Sequence, residues 1–195
     1  MLKLDLGCGG SPHEGYLAVD NNPLAKPDIV HDLNDFPYPF GDSSVDEIIM
    51  QNVLEHVEDP IKSLEEIYRI SKPGAVWKIT IPHYTRGFRN PTHKIGFART
   101  FFNLINGNFP RASEKYLNLD IDIVKEEYRW SCVNSGFVGV FNKFWSKVLN
   151  YNDLFTDRFM CFWFGGIDEM YFEVVVIKGM PYDKGLEFRR RLMRR

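Results

Sequence analysis

Two stretches of this 195-residue chain hold side chains whose types and spacing could do chemistry. The first is Leu4-Asp5-Leu6-Gly7-Cys8-Gly9-Gly10, followed at a distance by Asp20 and Asp32. A glycine loop after a strand lets a ligand approach the backbone, and its N–H groups can receive a carboxylate or a phosphate. An acid at the end of the next strand can accept two ribose hydroxyls. A tight turn with no ligand would use the same glycines, so the loop alone decides nothing. The second stretch runs from Pro82 to Arg99 and holds His83, Tyr84, Arg86, Arg89, His93 and Lys94. Histidine is the side chain whose ordinary pKa suits proton transfer near neutrality. The three cations could bind a phosphate or carboxylate, while both histidines could equally well bond to loop carbonyls. Glu55-His56 is a third, smaller set, readable as an acid/base pair or as residues that open a helix.

These side chains need elements to position them. Leu2–Leu6, Tyr16–Asp20, Asp28–Asp32, Val45–Met50 and Val76–Ile81 read as strands, separated by turn or helix signals in the manner of a parallel α/β sheet. Between the last two, Asp59 fits an N-cap, Pro60 the first helical position, and Ile61, Leu64, Ile67 and Tyr68 recur at helical spacing. Ser71-Lys72-Pro73-Gly74 ends that helix. The acids then fall at the carboxyl ends of parallel strands, where open sheets bind ligands. Beyond Ile81 the pattern predicts a loop over 82–96, a short helix from Phe97 to Ile105, a strand over 117–130, a helix from about Lys143 to Leu149 and a last strand over Tyr171–Ile177. The two late strands would form an antiparallel edge. The chain reads as one domain, 1–195, with a ligand-binding half over 1–82 and a second half over 83–195.

Composition excludes several classes. Hydrophobic residues at 44% and charged residues at 26% rule against disorder, collagen and coiled coil. No apolar run is long enough to span a bilayer, and the N-terminus opens on a strand pattern instead of a signal peptide, so a cytoplasmic protein without a membrane span is expected. Three scattered cysteines, Cys8, Cys132 and Cys161, argue for free thiols. The charge is uneven: residues 1–66 carry 14 acids and 3 Lys/Arg, whereas Ile67–Ser113 carries eight Lys/Arg and no acid. The first part suits a cation and the second an anion. The aromatic cluster from Phe141 to Phe164 is readable as a lid, a dimer face or core packing, and the Arg-rich end after Phe188 as an RNA or lipid contact.

Taken in order, LDLGCGG (4–10), AVD (18–20), HDLNDFPYPFGDSSVDEII (31–49), NVLEHVEDP (52–60) and RISKPGAVWKITIP (69–82) resemble the class I S-adenosylmethionine-dependent methyltransferases, specifically small type 11-like members. A dinucleotide fold would need GxGxxG opening a helix; here Ser11-Pro12 follows GCGG at once. The resemblance implies a Rossmann-like, doubly wound, mostly parallel seven-stranded sheet with an antiparallel edge, and S-adenosylmethionine as cofactor. It places Asp5, Gly7 and Gly9 around the methionine moiety, Asp20 at the ribose, Asp32 and Leu33 at the adenine, and Gln51 and Asn52 beside the ligand, with Cys8 and Asn21 also among the cofactor-binding residues. Only 14 residues separate Asp5 from Asp20, too few for a full crossover helix. An abbreviated first crossover is expected, with one sheet face covered by a second copy of the chain or by the aromatic-rich region.

On the same resemblance, a methyl group moves to an oxygen or nitrogen of a polar small molecule or saccharide, including an anionic one. His93 is the preferred base, with His83 and Tyr84 as alternatives. Arg86, Arg89, Lys94 and His56 would hold the acceptor. No metal site is expected, because the 82–99 loop offers histidines and cations without acids. Two other readings stay open: a non-catalytic S-adenosylmethionine-binding scaffold or sensor, and an RNA methyltransferase.

Overall fold

Leu4 and Leu6 of β1 (Lys3–Leu6) are fully buried and set the register of the sheet. β1 pairs in parallel with β2 (Leu17–Asp20) on one side and β4 (Val45–Gln51) on the other; β2 continues to β3 (Ile29–Val30) and β4 to β5 (Ser71–Pro82). Two antiparallel strands, β7 (Glu169–Val176) and then β6 (Ile121–Arg129), complete the order β3-β2-β1-β4-β5-β7-β6. The computed structural model describes residues 1–105, 119–131, 135–152, 155–163 and 165–179. The seven-stranded, mostly parallel sheet with an antiparallel edge is the one expected from sequence. Cys132, Phe164 and the Arg-rich end lie outside the described residues.

The two faces of the sheet differ. Ile48, Met50, Trp77, Ile79, Ile81, Phe172 and Val174 join Leu4 and Leu6 in one buried cluster with Leu64, Ile67 and Ile70 of α1 (Pro60–Ile70). That helix starts as the sequence dictates: the Asp59 carboxylate accepts the Lys62 N–H at 3.0 Å and Pro60 takes the first turn. On the opposite face no helix intervenes between β1 and β2. Residues 7–16 run as a loop, fastened where Asp5 accepts both the backbone N–H and the ring Nδ1 of His13 at 2.9 Å. The face without a helix between β1 and β2 carries charge: Lys3, Tyr16 and Lys78 all contact the Glu47 carboxylate, and Lys125 and Arg129 lie over the Tyr171 ring. Burial pushes the Glu47 carboxyl up, but hydrogen bonds from Lys78, Tyr16 and Lys3 outweigh it and hold the group at about 2.

Several boundaries differ from the sequence reading. β3 shrinks to two residues. β5 begins at Ser71, not Val76, since Val45 pairs with Ser71 across a register shift and the Ser71 hydroxyl accepts the buried Trp77 indole N–H at 2.8 Å. α2 (Tyr84–Gly87) stands inside the expected loop. α3 (Phe101–Ile105) starts four residues late, because Phe97 is held against His83 by an isolated bridge. α4 spans Gly136–Leu149, seven residues longer at its start than predicted. Its two glycines, valines and aromatics are poor helix formers; what fastens it is a polar stripe against β6 and its end. Asn142 brackets the Ser131 peptide, the Ser146 hydroxyl accepts the Trp130 N–H, and Asn150 brackets the Tyr128 peptide. The outer side therefore shows Val140, Phe144 and, just beyond the helix, Tyr151 to solvent, and Phe155, Phe159, Phe162 and Trp163 are exposed as well. Core packing is excluded for these seven residues.

Candidate active site

The carboxyl ends of β1, β2, β3 and β4 open onto a cleft of about 280 Å³. Gly7, Asp20, Asn21, His31, Asp32, Leu33, Asn34, Asn52, Val53, His56 and Val57 line it. Gly7 has φ +71°, and a Cβ there would stand 2.6 Å from a Val53 methyl, so only glycine fits. Asp20 ties the loop to the strand end: one carboxylate oxygen accepts the Gly9 N–H and the other the Asn22 N–H, each at 2.8 Å. Each oxygen keeps acceptor capacity beyond that bond. Asp32 accepts from the backbone and side chain of Asn34 at 2.9 Å, which shapes the turn carrying Leu33.

Of the residues expected around the cofactor, Gly7, Asp20, Asn21, Asp32, Leu33 and Asn52 line the cleft. Asp5, Cys8, Gly9 and Gln51 do not. Asp5 is 2% exposed and holds the shortened connection through His13, Gly9 acts through Asp20, and Gln51 is an exposed strand end. His31, Asn34, Val53 and Val57 were missed. Their signal was position, next to a strand end or at the opening of the turn before α1, with no distinctive chemistry.

A second cleft of about 390 Å³ adjoins the first and shares Asn52 and His56 with it. Its wall includes Glu55, Arg86, Arg89, Asn90, His93, Asp168 and Glu169. His93 is brought here by the loop after α2; its Nε2 lies 3.9 Å from Glu55 Oε1, and its ring meets the His56 ring edge-on at 4.8 Å between centroids. Glu55 is 0% exposed, and burial pushes its carboxyl up to about 7. Burial foremost, then His93, lowers the His56 imidazole. Arg86 is ion-paired with Asp168 at 2.6 Å, whereas Lys94 pairs with Glu58 and does not reach the cleft wall. Arg89 has no acidic partner among the described residues.

His83 and Tyr84 are not brought to this cleft. His83 is fully buried, caps α2 with its ring Nδ1 beside Thr85 Oγ1, and burial lowers its imidazole to about 4. The Tyr84 hydroxyl lies 3.8 Å from Cys161 Sγ, and burial pushes it up to about 12. The reason given for expecting no metal site does not hold in three dimensions, since the fold carries Glu55 in from outside the loop. Ligand atoms of Glu55, His56 and His93 all lie within 4.8 Å of one another. No helix among the described residues is long and apolar enough to cross a membrane.

Comparison with known proteins bears on what the first cleft holds. Residues 4–77 match the sequence model of a methyltransferase domain family. No curated protein matches the chain. Among solved structures, an S-adenosylmethionine-dependent methyltransferase from Archaeoglobus fulgidus is 19% identical with a TM-score of 0.55, over 89% of this chain and 85% of that one. A methyltransferase of Haloferax volcanii, solved in complex with the Trm112 methyltransferase activator, gives 18% and 0.55 over 90% and 82%. The YcgJ protein from Bacillus subtilis gives 13% and 0.53 over 91% and 92%. At such identities the likeness carries the fold, and the match over 4–77 is to a methyltransferase domain. The cleft fits the cofactor: the buried His31 Nε2 and Asn52 Oδ1 on its wall lack any partner, as groups awaiting a polar ligand do. Residues 4–77 thus carry the pattern of a methyltransferase domain, the sheet around them has the fold of S-adenosylmethionine-dependent methyltransferases, and the first cleft fits S-adenosylmethionine as cofactor.

Proposed function

We propose that the chain moves the methyl group of S-adenosylmethionine to an oxygen or nitrogen of a polar small molecule or saccharide seated in the second cleft. One observation carries this reading: the two clefts meet at Asn52 and His56, so an acceptor beside His93 borders the cofactor cleft. In the first cleft Asp20 takes the ribose hydroxyls, Asp32 and Leu33 flank the adenine, and Gly7 and Asn52 bracket the methionine end. Transfer is an in-line displacement: the acceptor's lone pair forms the new bond to the methyl carbon, and the carbon–sulfur bond breaks to leave a neutral thioether. The chain's part is to align acceptor and methyl group and to accept the acceptor's proton, which falls to His93. Arg89 offers a charge for an anionic group on the acceptor, while Arg86 is already engaged by Asp168.

The test is single-turnover incubation of the protein with methyl-labelled S-adenosylmethionine and cell extract. Label is expected in a small-molecule or saccharide fraction and is expected to fall about 100-fold or more in His93→Ala, the usual scale for a lost general base. Label in a ribonuclease-sensitive fraction would move the acceptor to RNA. No transfer by the wild type would leave a cofactor-binding scaffold.

A further inference from the structure

We propose that Glu55, His56 and His93 form a site for one divalent transition-metal ion of the zinc class. Several buried polar groups here have no hydrogen-bond partner. Both oxygens of Glu55 are buried with no hydrogen-bond partner, as is His93 Nδ1. A buried polar group left unpaired costs about 1–3 kcal/mol, and more if charged. Unpaired groups in a native fold point to something that completes them. Glu55 and His93 both line the second cleft, and the Glu55 oxygens are acceptors, so what completes them is a donor or a cation.

The donor set selects among cations. Two imidazole nitrogens and one carboxylate oxygen suit zinc and its neighbours; calcium and magnesium prefer oxygen alone. Bonds of about 2.1 Å in a tetrahedral array put ligand atoms about 3.4 Å apart. The observed spread of up to 4.8 Å must therefore close by somewhat over 1 Å, within reach of a small rotation of the two partly exposed rings. Three protein ligands leave a fourth position open to the cleft, the arrangement of catalytic rather than structural sites. Nearby cations are offset, Arg86 by Asp168 and Lys94 by Glu58. Arg89 is the remaining positive side chain among the residues named on the cleft wall.

What the ion would do rests on the proposed function. An acceptor hydroxyl in the open position loses its proton to solvent more readily, and in that state His93 serves as a ligand in place of a base. Whether the ion binds does not rest on that function, and its test is separate.

Zinc chloride titrated calorimetrically into the full chain, without S-adenosylmethionine, is expected to fill one site. Cobalt at the same site is expected to show the intense visible absorption of a four-coordinate centre. Glu55→Gln and His93→Ala should each weaken zinc by about tenfold or more, the least that a first ligand costs given that outer partners alone cost 10–100-fold. Binding of S-adenosylhomocysteine, measured on the same samples, reports that the variants are folded and that the cofactor site is intact. Absence of stoichiometric zinc binding by the wild type overturns the proposal. So does zinc binding that both variants retain, which would place the ion elsewhere.

Discussion

Residues up to Pro82 and residues after it arrive at their polar side chains by different routes. In the first half Asp20 closes β2 and Asp32 follows β3 by two residues, and near neighbours fix them: Gly9 and Asn22 hold Asp20, Asn34 holds Asp32, while Asn52 reaches across to Glu169 at 3.2 Å. In the second half the groups that matter meet partners far along the chain. His93 faces Glu55, Arg86 faces Asp168, and the Thr85 hydroxyl accepts the Ile167 N–H at 3.1 Å.

That contrast is sharpest in the glycine loop. Gly7→Ala is expected to cost about 2–5 kcal/mol, summing a left-handed alanine and an overpacked Val53. Gly9→Ala meets open space and should cost only the conformational part, about 1–2 kcal/mol. Urea denaturation of the two variants decides; equal losses would break the claim that Gly7 alone is pressed against the strand–helix turn.

On the open face of the sheet, Glu47→Gln is expected to cost about 1–3 kcal/mol at pH 7, the scale of hydrogen bonds to a charged group. The sign of its pH dependence follows from the depressed carboxyl. The contribution is full above about 4.5 and is lost as pH falls towards 2. The stability gap between wild type and variant should therefore narrow from pH 5 to pH 3. A gap that stays constant would mean that charge on Glu47 does not hold this face together.

In the second half, Asn142→Ala removes both bonds to the Ser131 peptide from a nearly buried position and should cost about 1–3 kcal/mol. Trp163→Ser, by contrast, changes a side chain that is 79% exposed and should shift stability by less than about 0.5 kcal/mol, read from the denaturant midpoint. A larger loss would show that the aromatic surface packs against the rest of the chain.

The same division governs what could be read in advance. Asp59 and Pro60 start α1 as expected because a cap is a matter of four consecutive residues. The missing crossover was legible from the distance between Asp5 and Asp20. Asp5, a residue of β1, accepts from the backbone and ring of His13 and so fastens the shortened connection. His83 and His93 look alike in sequence. One is sealed beneath α2 and the other lines the cleft, because of Phe97 and Glu55, residues that no local pattern links to them. α4 was cut short because helical propensity says nothing of Asn142, Ser146 and Asn150 gripping a strand edge.

The most direct test of the account is the heat of S-adenosylhomocysteine binding to wild type and Asp20→Ala. Binding by the wild type, weakened about 100-fold or more by loss of two charge-assisted hydrogen bonds to the ribose, is the predicted result. Equal binding by the two proteins, or none by the wild type, would contradict a cofactor site at the end of β2.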